Sequence, residues 1–175
     1  MVPRRRERCI TTGASPAADV LATLRGRGLT LATAESLTGG LVGAALTAVA
    51  GSSDVYRGGV VCYATDLKAS LVGVPTALLD AQGPVAADTA AALAAGAART
   101  CGADVGAATT GVAGPTPQDG HPVGEVYVAV SLPGSEPQVR PLQLSGTRDE
   151  IRDATVVAVL ALLRESVEAL AIPLS

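Results

Sequence analysis

Phenylalanine and tryptophan are absent from this chain of 175 residues, and tyrosine occurs three times. So few rings leave no stacking platform of the kind that grips bases or single strands. The core must be assembled from Ala, Val, Leu and Gly, which pack closely but withdraw less apolar area from water per residue. Cysteine is scarce. Cys9, Cys62 and Cys101 form no C-x-x-C pair and stand apart from the single histidine, so no zinc site is expected. An odd cysteine count without an export signal fits a reducing, cytoplasmic interior. No apolar run approaches the ~20 residues that cross a bilayer; the longest, Val156–Leu163, has eight. Net charge is −3, which disfavours nucleic acid as a partner, because domains that bind it are basic. The basic opening, Met1 to Arg8, leads into no apolar segment and reads as a solvated end.

What is present is a folding chain. Hydrophobic residues make up 48% and charged residues 17%, against global disorder. The reading is a disordered tail over 1–14 and one domain over 15–175. Ser15-Pro16 starts a helix that stops at Gly26/Gly28. Strands are expected over Leu29–Ala34, Gly58–Ala64, Asp104–Thr110 and Glu125–Leu132, with Val139–Leu144 as a hairpin partner. Helices are expected over about 40–50, from Thr65 or Asp66 to Val72, after Pro75, over Asp88–Arg99, and over Arg148–Leu170. This interleaving predicts a three-layer α/β/α sandwich with a mixed central sheet. The apolar final helix and the Ala-rich 88–99 helix suit a homodimer or larger homo-oligomer.

Three places carry candidate chemistry. In Ala34-Glu35-Ser36-Leu37-Thr38-Gly39-Gly40 a strand hands over to a helix, so N–H groups face whatever lies above and Ser36 adds a hydroxyl. The same pattern also describes a Ser/Thr cap with glycines for a tight turn. Lys68 is the sole lysine beside twelve arginines. Arginine does not give up its proton, whereas a desolvated lysine can act as a base; a leftover surface lysine fits the count equally. Tyr63, five residues earlier, is placed either to relay a proton or as an ordinary strand aromatic. Thr110-Gly111-Val112-Ala113-Gly114-Pro115 is a second glycine turn at a second strand end. If the two strands are neighbours, both turns line one crevice. Arg148 and Arg152 sit one helical turn apart, as a pair for phosphate or carboxylate or as a solvated helix start. His121, in a Pro-flanked polar loop, suits a gating or surface role.

Taken in order, Thr33 to Gly40, Gly51-Ser52-Ser53, Gly58 to Tyr63, Lys68, Leu71 to Pro75, Gly83-Pro84-Val85, Thr110 to Pro115 and Pro122-Val123-Gly124 resemble the C-terminal domain of the competence/damage-inducible protein CinA, the PncC-type nicotinamide-nucleotide amidohydrolase family. The resemblance covers about residues 16–165. Larger members carry an N-terminal domain similar to molybdopterin-binding proteins, and this chain looks like the stand-alone form. The resemblance implies hydrolysis of the carboxamide of nicotinamide mononucleotide to nicotinate mononucleotide and ammonia, with a pyridine nucleotide as the small-molecule partner and no cofactor or metal. It implies Ser36 as nucleophile, assisted by Tyr63 and Lys68. Glu35, Thr38, Gly39, Gly40, Thr110, Gly111, Gly114 and Arg148 are then expected around the substrate, with N–H groups of Thr38–Gly40 facing the oxyanion. Leu37 stands where the family commonly has Cys, and Thr65 where it commonly has Asn. A non-catalytic nucleotide or sugar-phosphate binding module of the same family is the alternative expectation, with an oligomerising partner of DNA-uptake or repair proteins as a third.

Overall fold

The computed structural model describes residues 15–170; the tail expected over 1–14 lies outside them. In chain order the elements are α1 (Pro16–Gly26), β1 (Leu31–Glu35), α2 (Leu41–Thr47), a 3-10 turn (Ser52–Asp54), β2 (Tyr56–Val61), α3 (Thr65–Val72), α4 (Thr76–Gln82), α5 (Ala87–Cys101), β3 (Val105–Gly111), β4 (Glu125–Ser131), β5 (Gln138–Gln143) and α6 (Arg148–Ala169). The sheet order is β2-β1-β3-β4-β5. β1 runs parallel to β2 and β3, whereas β3/β4 and β4/β5 are antiparallel. This is the expected α/β sandwich with a mixed sheet.

Period-two alternation along the strands divides the core into two unlike halves. Leu31, Val105, Val126, Val128 and Val130 face α1, α2 and α6, joining Leu21, Leu24, Leu46, Ile151 and Leu163. The other face carries Ala32, Ala34, Ala108 and Ala129 against α5, which answers with Ala90, Leu93, Ala94 and Ala97. The branched side chains fill space on one side, and the small ones let backbones approach on the other. Gly106 of β3 marks the closest approach: a Cβ there would stand 1.8 Å from the Ala94 carbonyl oxygen.

Local chemistry fixes the element ends. The Ser15 hydroxyl accepts from the Ala18 N–H, with Pro16 at the first helical position. Thr147 and Glu150 form a reciprocal capping box at the start of α6, from a Thr-x-x-Glu spacing. The end of the second strand and the entry to the next helix depart from expectation. The second strand ends at Val61 rather than Ala64, because the carbonyls of Cys62 and Tyr63 turn to Lys68. α3 is entered through Ala64 with no side-chain cap, not through a Thr65 or Asp66 cap. Among the described residues no helix is long and apolar enough to cross a membrane.

The topology positions the site. From β1 the chain crosses by α2 on one face to β2, and returns by α3–α5 on the opposite face to β3 on the other side of β1. The carboxyl ends of β1 and β3, paired at Glu35 and Thr109, therefore lie where the connections diverge, the usual place for a crevice. Gly106→Ala is expected to lower stability by about 3 kcal/mol, the upper range for overpacking a filled core, read as a lower denaturation midpoint at unchanged slope.

Candidate active site

Ser36 follows β1 directly. Its N–H donates to the Thr109 carbonyl at 3.0 Å, so the residue is held against the end of β3. Lys68, on the first turns of α3, lies on the same helix face as buried Val72 and points into the protein, where only 1% of it is exposed. Its Nζ stands 3.1 Å from Ser36 Oγ, 2.8 Å from the Cys62 carbonyl oxygen and 3.4 Å from the Tyr63 carbonyl oxygen. No carboxylate forms an ion pair with it among the described residues. Burial disfavours the charged form, and Lys68 is held below the ordinary lysine range; the nearby Cys62 thiol opposes this only in part. Two carbonyls can only accept, so they take two amine N–H groups. A neutral Lys68 then has its lone pair left for the Ser36 hydroxyl.

Glu35 does not face a ligand. Its carboxylate accepts from Thr38 Oγ1 (2.7 Å) and from the N–H groups of Gly40 (2.9 Å), Val42 (3.0 Å) and Gly43 (2.8 Å). The helix N-terminus expected to cradle an anion is thus filled by the protein's own carboxylate. Thr38 is fully buried and also meets Thr109 Oγ1 at 2.8 Å. The Gly39 N–H donates to the Ser36 carbonyl. The expected contribution of the Gly39 and Gly40 N–H groups to an oxyanion site therefore does not arise, because both are already taken. The sequence signal was available: an acidic residue just ahead of a glycine-led helix suits the dipole.

Around Ser36 and Lys68 opens a cavity of about 280 Å³, walled also by Tyr63, Thr110, Gly111, Gly114 and Arg148. Thr110 Oγ1 donates to the Pro84 carbonyl at 2.6 Å, tying the second turn to the Gly83-Pro84 segment. Arg148 donates to the Gly114 carbonyl (2.6 Å) and to the Tyr63 phenol (2.9 Å). The phenol thus pairs with Arg148, and Tyr63 reaches Lys68 through its carbonyl. Gln118 also lines the cavity, unanticipated from sequence. Its neighbour His121 pairs with Glu125, Nδ1 to Oε1 3.1 Å, outside the lining. Arg152 does not line it either. It donates to the carbonyls of Leu37 and Thr38, both at 3.0 Å. Among the described residues no group of three or more His, Cys, Asp or Glu is placed to hold a metal ion.

A mixed sheet covered on both faces, with a cavity at its carboxyl edge, defines a three-layer α/β protein. A family model described as the CinA C-terminal domain matches residues 14–167, and the chain belongs to that family. A CinA-like protein of Frankia casuarinae is 49% identical over 145 residues, 83% of this chain and 33% of that protein. One from a Synechococcus strain is 50% identical over 152 residues, covering 86% and 36%. The chain thus spans about a third of the length of the curated relatives it matches. Among solved structures, competence/damage inducible protein CihA of Agrobacterium tumefaciens superposes with a TM-score of 0.84 at 34% identity, over 92% of this chain and 99% of that one. A CinA superfamily protein of Klebsiella pneumoniae gives 0.85 at 29% identity, over 89% and 97%.

Glu35→Gln places an NH2 among four donors. It is expected to cost roughly 3 kcal/mol of stability, on the scale of hydrogen bonds to a charged group, measured by urea unfolding.

Proposed function

We propose that this domain is a serine amidohydrolase acting on the carboxamide of nicotinamide mononucleotide. One observation carries the reading: a buried, carboxylate-free lysine amine 3.1 Å from a serine hydroxyl at the wall of a cavity. The family resemblance supplies the substrate. Ser36 Oγ attacks the carboxamide carbon while its proton passes to Lys68 Nζ. The tetrahedral intermediate collapses as the C–N bond breaks and the Lys68 ammonium returns the proton to the leaving nitrogen, releasing ammonia. Water then attacks the Ser36 ester, again giving a proton to Lys68. The nicotinate product leaves as the hydroxyl is restored. Thr110, Gly111 and Gly114 flank the substrate, and Arg148 offers its charge at the same wall. Tyr63 holds Lys68 by its carbonyl and Arg148 by its phenol.

Ser36→Ala should still bind nicotinamide mononucleotide by calorimetry while ammonia release falls by roughly 10⁴-fold or more. Lys68→Arg keeps a cation but removes the base, and turnover should fall by about 10³-fold with the fold intact. A wild-type protein that binds the nucleotide and releases no ammonia would leave the cavity as a binding module.

The pH profile tests the base separately. The reaction needs neutral Lys68, so kcat should rise tenfold per pH unit and reach a plateau. Because burial lowers this amine, the midpoint should lie below the ordinary lysine value of about 10.4. A profile flat across that range would remove Lys68 from the proton transfers.

A further inference from the structure

Among the described residues the N–H groups of Leu37 and Thr38 have no acceptor in the protein; Leu37 lines the cavity, whereas Thr38 is fully buried outside it. Orphaned buried N–H groups are rare, and these two immediately follow Ser36. Their peptide units share one feature. Arg152 Nε donates to the Leu37 carbonyl, the other end of the peptide that carries the Thr38 N–H. Arg152 Nη2 donates to the Thr38 carbonyl, and the Gly39 N–H of that peptide donates to the Ser36 carbonyl. The Ser36 carbonyl in turn belongs to the peptide carrying the Leu37 N–H. A trans peptide points its N–H opposite its C=O, so each free donor sits at the far end of a polar relay that begins on one guanidinium, one relay direct and the other through a single hydrogen bond.

We infer that Arg152 is a positioning residue that fixes the turn after Ser36 and, through the Thr38 and Ser36 carbonyls, aims and polarises the N–H of Leu37, the one of the two at the cavity wall, as an oxyanion donor for the Ser36 reaction. This rests on the reading of Ser36 as a nucleophile. The N–H of the residue after a nucleophile commonly serves this purpose, and a cation on the carbonyl strengthens the donor at the opposite end of its peptide. Arg152 lies outside the cavity lining, so it acts through the backbone and not on substrate.

The test compares wild type, Arg152→Met and Arg152→Lys by two readouts. The first is deamidation of nicotinamide mononucleotide. The second is the rate at which a fluorophosphonate labels Ser36, followed by mass spectrometry, in which the Oγ–P bond forms, P–F breaks, fluoride leaves and the hydroxyl proton goes to Lys68. Arg152→Met should lower kcat at least about tenfold, short of the 10²–10³ lost when a donor is removed outright. KM should stay within about twofold, and labelling should slow by the same factor as kcat. Arg152→Lys keeps the charge without the planar fork and should fall between; it carries the comparison if the Met variant does not fold. Unchanged kcat and labelling in both variants, or a loss that resides wholly in KM, overturns the assignment. A wild type that labels but releases no ammonia removes the pyridine-nucleotide reading, and the labelling rates then judge Arg152 alone. A wild type that does neither overturns both.

Discussion

The site is organised by the expense of enclosing an amine without a counter-ion. Lys68 is shut away with carbonyl oxygens and a hydroxyl as its partners, and burial favours its neutral form. A carboxylate in the same place would restore the charge and remove the lone pair. The surrounding chain accepts this arrangement by bending. β2 stops at Val61, two carbonyls rotate inward, and α3 begins without a side-chain cap. Secondary structure is given up at the point where the amine is enclosed.

The turn after β1 is held from both sides. From beneath, Glu35 gathers Thr38 and the first N–H groups of α2. From the side, Arg152 grips two successive carbonyls. Between these anchors Ser36 has little freedom, which matters for the proposed reaction because a nucleophile displaced by even an ångström loses much of its advantage. Arg148, one helical turn before Arg152, ties the opposite wall through Gly114 and Tyr63. The start of α6 thus braces both turns.

The architecture was readable because its signals are local. Ser15-Pro16, the apolar alternation of β4 and the glycine that closes α5 each state a boundary in a few residues. The convergence of Ser36 and Lys68 had no such signal: they are 32 positions apart and meet only because α3 folds back over the end of β1. The single-lysine argument singled out the residue that meets Ser36 through an economy of residue types rather than through geometry. Glu35, Gly39 and Gly40 were read as facing a ligand because a helix start with free N–H groups looks the same whether a foreign anion or a neighbouring carboxylate fills it. Arg148 and Arg152 had identical spacing evidence. Only packing separates the one that reaches the cavity wall from the one that reaches the main chain behind it.

The arginine-for-lysine bias has a chemical consequence beyond the pocket. With one lysine in the whole sequence and that one enclosed, no lysine ε-amine is presented to bulk solvent. Acylating agents, reducing sugars and amine-directed cross-linkers find on this protein's exterior none of the ε-amino targets that most proteins display. An adduct on that nitrogen therefore reports entry into the cavity rather than chance encounter at the surface.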